Sequence, residues 1–394
     1  MTDFLTQARA MAPNLVADRR YLHAHAETGF NLTDTCRYVM RTLNEMGLMP
    51  RRCGRSGIIA DIGTGDRFVI LRADMDALPI REETSLDFAC EGSSMHACGH
   101  DLHTAMLLGA ARLLKAQEKQ LNCRVRLMFQ PAEEILKGAQ DMLDNGLLSG
   151  GTPVCAYMIH VLTNLDLPVG TAVVSAPGAG APAAAFFEIA LQGKGCHGAM
   201  PNTGIDPITA AAHIVLALQQ IQTRELAMAE NAVLTLGMLQ AGDSANVIPD
   251  RALMAGTMRT FDDATLATML RRTEEIAVGT AQVFRAEAAF TVTGRTPTLL
   301  NDEQVSASAL NALRSALGPQ MAMSTADLPG GERKAFGSED FAFLSHALPS
   351  VMVALAAGRP GDGHDHPAHH PMTTFDEEAL IYGAAAYAAM AIGL

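Results

Sequence analysis

The sequence predicts a layered α/β fold interrupted by a small α+β insert, and three observations carry that reading. Strand-like and helix-like runs alternate from about residue 57 to residue 161, the pattern of a sheet covered by helices. Between about residues 186 and 294 the order becomes β-α-β-β-α-β, the split βαβ arrangement. The chain has 394 residues, 48% of them hydrophobic and 18% charged, which suffices for two domains with a full core each.

The elements follow in order. Residues 14–48 carry helical periodicity broken by HAHAETGF, and IIADIG with RFVILRADMDALPI are two β-rich runs. DLHTAMLLGAARLLKA keeps its apolar residues on one face, which predicts a helix from about Asp101. CRVRLMFQP is a strand, ILKGAQDMLDNG a helix closed by Gly146, and VCAYMIHV a further strand. SAPGAGAPAAA, residues 175–185, is a linker or crossover by its Gly, Pro and Ala content. Beyond it come a strand FFEIALQG, a helix opening at Asp206-Pro207, two strands around AVLTLGMLQAG and RALMAGTMRTF, a helix over 263–280 and a strand AEAAFTVTG. The expected division is therefore 1–183, an insert over 184–294, and a return to the first domain over 295–394.

Composition excludes several classes of function. A formal charge of −13, with no basic run longer than two residues, argues against a nucleic-acid partner. No segment has eighteen uninterrupted apolar residues, and the first residues lack the apolar core of a signal peptide, so no membrane partner and a cytoplasmic location are expected. Seven cysteines without CxxC pairs form neither a disulfide framework nor a zinc ribbon. GKGCHG, residues 193–198, matches GxGxxG only formally, because no helix opens at its last glycine. There is no GxSxG elbow and no GxxxxGK[ST] loop.

Four stretches carry chemistry. SMHACGHDLHTAM, residues 94–106, holds three histidines, a cysteine and an aspartate. If 96–100 is extended, His96, Cys98 and His100 project to one side, and a helix starting at Asp101 aims its dipole at them, favouring a thiolate at Cys98. Such a Cys-x-His pair suits a metal, whereas a single histidine there would be structural. In FQPAEE, Glu133 and Glu134 follow a strand end; one carboxylate can bind a cation while its neighbour stays free as a base. Their alternative is a solvated acidic helix start. His160 ends an apolar strand, where open α/β sheets place their sites, or is a buried structural histidine. HDHPAHHPM, residues 364–372, is a further ligand source or a histidine-rich loop.

Taken in order, RADMDALPI, MHACGHDLHTAMLLGAA, FQPAEE, IHV, GKGCHGAMPNTGIDP, NVIPDRALMAGTMRTF, GSEDFAF and HHP resemble the hippurate hydrolase, aminoacylase and auxin-conjugate amidohydrolase branch of the two-metal peptidases. The resemblance runs from His23 to His370. It implies a catalytic α/β domain of metallopeptidase type, with the insert as a lid that carries a homodimer interface. Two divalent ions per chain are implied, zinc, manganese or cobalt, held by Cys98, His100, Glu134, His160 and His369. The family places its last ligand two residues before a proline, which selects His369 over His370. Glu133 would be the general base, and Asp76 and Asp101 would orient ligands. Asn246 and Arg259 would bind the carboxylate of the amino acid product, a role for which Arg259 has the two-pronged geometry. His197, otherwise a residue of a glycine-rich turn, would reach the partner subunit's site and stabilise the oxyanion.

The expected activity is hydrolysis of the amide bond of an N-acyl amino acid or small dipeptide. Two departures from the family pattern, Ala26 in place of a common proline and Asn202 in place of a frequent histidine, touch no proposed ligand but bear on the acyl pocket. A thiol hydrolase built on Cys98 and His100 is the rival enzyme, and a silent binding relative is the rival outside catalysis.

Overall fold

Ala12–Ala24 and Thr33–Glu45 are separate helices because Glu27, in the HAHAETGF stretch between them, folds back to cap the second. Its carboxylate accepts the N–H groups of Thr33 (2.9 Å), Asp34 (3.0 Å) and Thr35 (2.9 Å), donors that a helix start leaves without partners. The structure, a computed structural model, describes residues 3–328 and 337–393. These fall into two units, one of residues 3–180, 300–328 and 340–393, the other of residues 181–299 and 337–339.

The larger unit is built on an eight-stranded sheet in the order Arg51–Cys53, Gly57–Ile62, Arg124–Gln130, Arg67–Asp74, Thr152–Leu162, Ser350–Ala356, Ala172–Val174, Ala322–Ser324. Its centre is parallel: Arg67–Asp74 pairs in parallel with both Arg124–Gln130 and Thr152–Leu162, which in turn pairs with Ser350–Ala356. Central strands buried on both faces explain the unbroken apolar runs in the sequence, which an alternating strand would not show. Helix His100–Ala116 is buried along almost its whole length and packs on helix Ala379–Ile392. That contact needs glycine, since a Cβ on Gly383 would stand 1.8 Å from Met106 Sδ.

Tyr387 of the last helix marks where the sheet opens. Its hydroxyl donates to the Arg72 carbonyl (2.6 Å) and accepts from the Ile159 N–H (3.0 Å), filling the two groups left where neighbouring strands part. The last paired residues of those strands are Arg72 and Met158. Asp74 and His160 lie just beyond.

In the smaller unit a four-stranded antiparallel sheet runs Ala232–Ala241, Arg251–Thr260, Ala183–Gln192, Glu287–Thr296. Helices Pro207–Gln220 and Asp263–Val283 pack against it, giving the split βαβ order. Asp206 caps the first helix, accepting from Ile208 N, and Asp262 the second, accepting from Thr265 N. Among the described residues no helix is long and apolar enough to cross a membrane.

Two expectations are corrected. The helix expected over ILKGAQDMLDNG is only Gly138–Asp144, because Leu136 adopts a left-handed conformation (φ 55°) and closes a turn first. Residues 96–100 are not extended: Gly99, at φ 84°, turns the chain, its N–H bonds to the His96 carbonyl (3.2 Å), and the helix begins at His100.

The start of that helix is tied to helix Ala12–Ala24 by a buried ionic network. Asp101 accepts from Arg19 Nε (2.9 Å) and faces His23 Nδ1 (2.8 Å), while His23 Nε2 faces Glu82 (3.1 Å). Burial opposes ionisation of Asp101, but Arg19 and His23 outweigh it and hold the carboxyl well below its usual range. Burial likewise opposes the charged form of His23, yet Asp101 and Glu82 raise its pKa. A depressed carboxyl contributes stability above its unfolded value of about 3.9 and loses it as pH falls; a raised histidine contributes below about 6.5 and loses it as pH rises. Asp101→Ala is therefore expected to cost about 3–5 kcal/mol, the usual range for an orphaned buried pair. Urea unfolding in excess chelator should show the largest difference from wild type between about pH 4 and 6.5. A pH-independent difference near zero would contradict the coupling.

Candidate metal centre

Five of the residues singled out in the sequence converge where the central strands part. Cys98 Sγ lies 3.6 Å from His160 Nε2 and 3.4 Å from His369 Nε2. Glu134 Oε1 lies 3.9 Å from both His100 Nε2 and His369 Nε2. Two triads, Cys98/His100/His160 and Cys98/Glu134/His369, each have donor atoms within 4.8 Å of one another, and Cys98 belongs to both. His100, Glu133 and Glu134 form a third such group.

Local structure explains how each donor arrives. The turn at Gly99 places Cys98 just before the helix and His100 at its first residue. A side chain is excluded at Gly99 twice over, by φ 84° and by Val161 Cγ2, which a Cβ would approach to 2.4 Å. Glu133 and Glu134 sit on a turn bounded by left-handed Ala132 and Leu136 (both φ 55°), not on the helix start that was the alternative for them. Asp76 fixes that turn, its two carboxylate oxygens accepting the N–H groups of Glu133 (2.9 Å) and Glu134 (3.3 Å). His369 is itself left-handed (φ 68°), and its N–H bonds to the Ala97 carbonyl (2.9 Å), which pins the C-terminal loop to the cysteine turn.

The imidazoles are set up as ligands. His100 donates from Nδ1 to the Asp76 carbonyl (2.7 Å) and His160 from Nδ1 to the Val161 carbonyl (2.8 Å). Each ring proton is thereby on Nδ1 and each Nε2 lone pair faces the cluster, the arrangement that metal-binding histidines use. His100 Nε2 is buried and has no hydrogen-bond partner among the described residues, an expensive state for a polar atom unless a ligand satisfies it. Burial holds the pKa of His100 well below its usual value and that of His160 at about 4, and lowers that of His369, so all three are neutral at physiological pH. The donor set therefore fits metal ions.

Other expectations land elsewhere. His96 is buried and belongs to no donor group among the described residues. Asp101 orients no ligand ring; its carboxylate serves Arg19 and His23. His197, Asn246 and Arg259 lie on the smaller unit. His197 pairs with Val247 on a two-stranded ladder beside Asn246, whose carbonyl accepts the Gly198 N–H (2.8 Å). His197 Nδ1 accepts from Ala199 N (3.1 Å), leaving Nε2–H as an exposed donor. Arg259 is partly buried, and its Nη1 has no hydrogen-bond partner among the described residues.

Sequence reasoning missed Asp74 and His103. Asp74 faces His100 Nε2 (3.5 Å) and His103 Nδ1 (2.6 Å), and its carboxyl lies well below the usual range: burial opposes this, but Arg72 and the two histidines outweigh it. Both had a spacing signal, Asp74 two positions before Asp76 on a strand and His103 three after His100 on a helix.

The sequence model of Peptidase family M20/M25/M40 matches residues 70–392. The chain is 38% identical over 394 residues to N-acetylcysteine deacetylase of Bacillus subtilis (strain 168), covering 98% of this chain and 97% of that protein. It is 35% identical over 385 residues to IAA-amino acid hydrolase ILR1-like 2 of Arabidopsis thaliana, covering 96% and 84%. Among solved structures, a Bacillus subtilis protein described as a dinuclear metal binding peptidase from the M20 family superposes with a TM-score of 0.76 at 34% identity, with 98% of each chain covered.

Proposed function

The chain belongs to peptidase family M20/M25/M40, and from that premise we propose how its donor cluster works. The protein is a metal-dependent amidohydrolase that cleaves the amide bond of N-acyl amino acids or small dipeptides and releases a free amino acid. The observation that carries this is the convergence of Cys98, His100, Glu134, His160 and His369 with the ring Nε2 atoms facing inward.

One divalent ion would be held by Cys98, His100 and His160 and a second by Cys98, Glu134 and His369. Thiolate, imidazole and carboxylate together admit zinc, manganese or cobalt. When bound, such ions polarise a carbonyl and make water acidic enough to attack it. Glu133, whose carboxylate shares a donor group with His100 and Glu134, takes the proton of the attacking water and passes it to the departing amine. Arg259, with Asn246, receives the substrate carboxylate, and the Arg259 Nη1, without a hydrogen-bond partner among the described residues, supports that role. His197 donates from Nε2 to the oxyanion in a homodimer joined through the smaller unit.

Hydrolysis assays with N-acetyl, N-benzoyl and indole-acetyl amino acids, with manganese or zinc added, test the reading. Free-acid substrates should turn over and their carboxyl-amidated forms should not. Full activity in excess chelator, with loss on thiol alkylation, would instead favour a thiol hydrolase on Cys98 and His100.

Metal analysis is expected to find up to two divalent ions per chain in the wild type, and fewer in Cys98→Ala and in Glu134→Gln. Unchanged content in both variants would remove the site.

Glu133→Gln should keep its metal and its fold while turnover falls by about two to four orders of magnitude, the range for a positioned acid-base group. Loss of metal in this variant would mean that the two glutamates have exchanged roles.

His197→Ala should lose about a hundred- to a thousand-fold in turnover with its metal retained. Mixing it with Glu133→Gln under subunit exchange should return part of the activity, because a mixed dimer contains one complete site. No recovery, with exchange demonstrated independently, would show that His197 does not act across subunits.

A further inference from the structure

Three imidazoles, those of His100, His160 and His103, pack ring against ring, and of these His100 and His160 are oriented to ligate. The third, His103, is fully buried, with its ring centroid 5.3 Å from that of His100 and 4.8 Å from that of His160. It lies nearly parallel to the first ring (30°) and edge-on to the second (68°). Both of its nitrogens are engaged: Nδ1–H donates to Asp74 Oδ1 (2.6 Å), and Nε2 accepts the N–H of Val161 (2.8 Å). Although Asp74, His100 and His103 offer donor atoms within 4.8 Å of one another, no lone pair of His103 is left for a cation.

The two bonds fix His103 to both strands that carry the site. Asp74 ends the strand Arg67–Asp74, and its other oxygen is held by Arg72 Nη1 (2.8 Å), whose Nε is anchored on Gln130 Oε1 (2.8 Å). Val161 directly follows the ligand His160. A ring held at both ends cannot rotate, and it forms a wall against which the His100 and His160 rings both rest. We propose that His103 is a positioning residue that sets the angle between these two ligand rings, and so the geometry of the ion they share. This rests on the metal reading given above.

Cobalt(II) is the probe, because its visible absorption reports ligand geometry. His103→Leu keeps bulk while removing both polar ends, and His103→Gln keeps a donor and an acceptor. In the cobalt-loaded protein, His103→Leu should show a shifted visible spectrum and cobalt retention against a competing chelator weakened about 10- to 100-fold, the usual effect of removing a group behind a ligand. His103→Gln should restore most of both. A residue that only fills space would lower the melting temperature and leave the spectrum of the folded protein as in wild type. A folded His103→Leu protein with wild-type spectrum and retention overturns the proposal. If His103→Leu does not fold, His103→Asn decides: it can reach Asp74 but not Val161, so a shifted spectrum supports the proposal and an unchanged one overturns it. Failure of the wild type to bind cobalt would overturn the metal reading itself, and this proposal with it.

Discussion

Asp76 is the residue on which the rest of the site depends. Its carbonyl fixes the tautomer and direction of His100, and its carboxylate holds the backbone of the turn that presents Glu133 and Glu134. Three residues of the donor cluster from two distant segments are thus referred to one point just past the end of a central strand. The placement is costly. Burial, and then the charges of Asp74 and Asp340, push the Asp76 carboxyl well above its usual range, and the two N–H donors offset this only in part. A buried acid in that position is hard to explain by stability alone. It is explained by what it holds.

The same reasoning extends to the ionic groups around it. Arg72, Asp74, Gln130 and Asp340 form one buried network, and Arg19, His23, Glu82 and Asp101 another. Buried ion pairs are weak sources of stability, because desolvation cancels most of the attraction, but removing one partner is expensive. They act as locks: once folded, the helix start at His100 and the strand end at Asp74 have few alternative arrangements. A polar donor set that must keep lone pairs unsatisfied until a ligand arrives needs such a frame. Otherwise neighbouring side chains would rotate to satisfy it.

Much of this was legible in the sequence, for reasons that differ by element. The α/β alternation and the split βαβ insert were readable because buried parallel strands and capped helices leave strong local patterns, as at VCAYMIHV and Asp206-Pro207. Cys98, His100, His160, Glu134 and His369 could be named only because motif order supplied partners that are far apart in the chain. What was lost concerns backbone geometry. Neither the left-handed Gly99 nor the left-handed Ala132, Leu136 and His369 is signalled by residue type alone, so the 96–100 stretch read as extended and a helix start stood as the alternative for the glutamates. The resemblance assigned Asp101 to orienting ligands, whereas the first turn of a helix points successive side chains about 100° apart and directs this one to Arg19 and His23. His103, one turn on from His100, returns to the ligand side for the same reason.

The two adjacent glutamates show that backbone placement, and not residue identity, sets what each carboxylate can reach. Glu133 and Glu134 have the same chemistry, and their N–H groups bond to the same carboxylate. On a helix their side chains would diverge by a fixed angle and the pair would face solvent. In a turn opened by a left-handed Ala132 and closed by a left-handed Leu136, both carboxylates reach the donor cluster, and Glu134 lies 3.9 Å from both His100 and His369. Glu133 shares a donor group with His100 and Glu134, where the proposed exchange of a proton with water would take place. The strain of two left-handed residues in the five from Ala132 to Leu136 is the structural means of bringing both carboxylates of one dipeptide to the cluster.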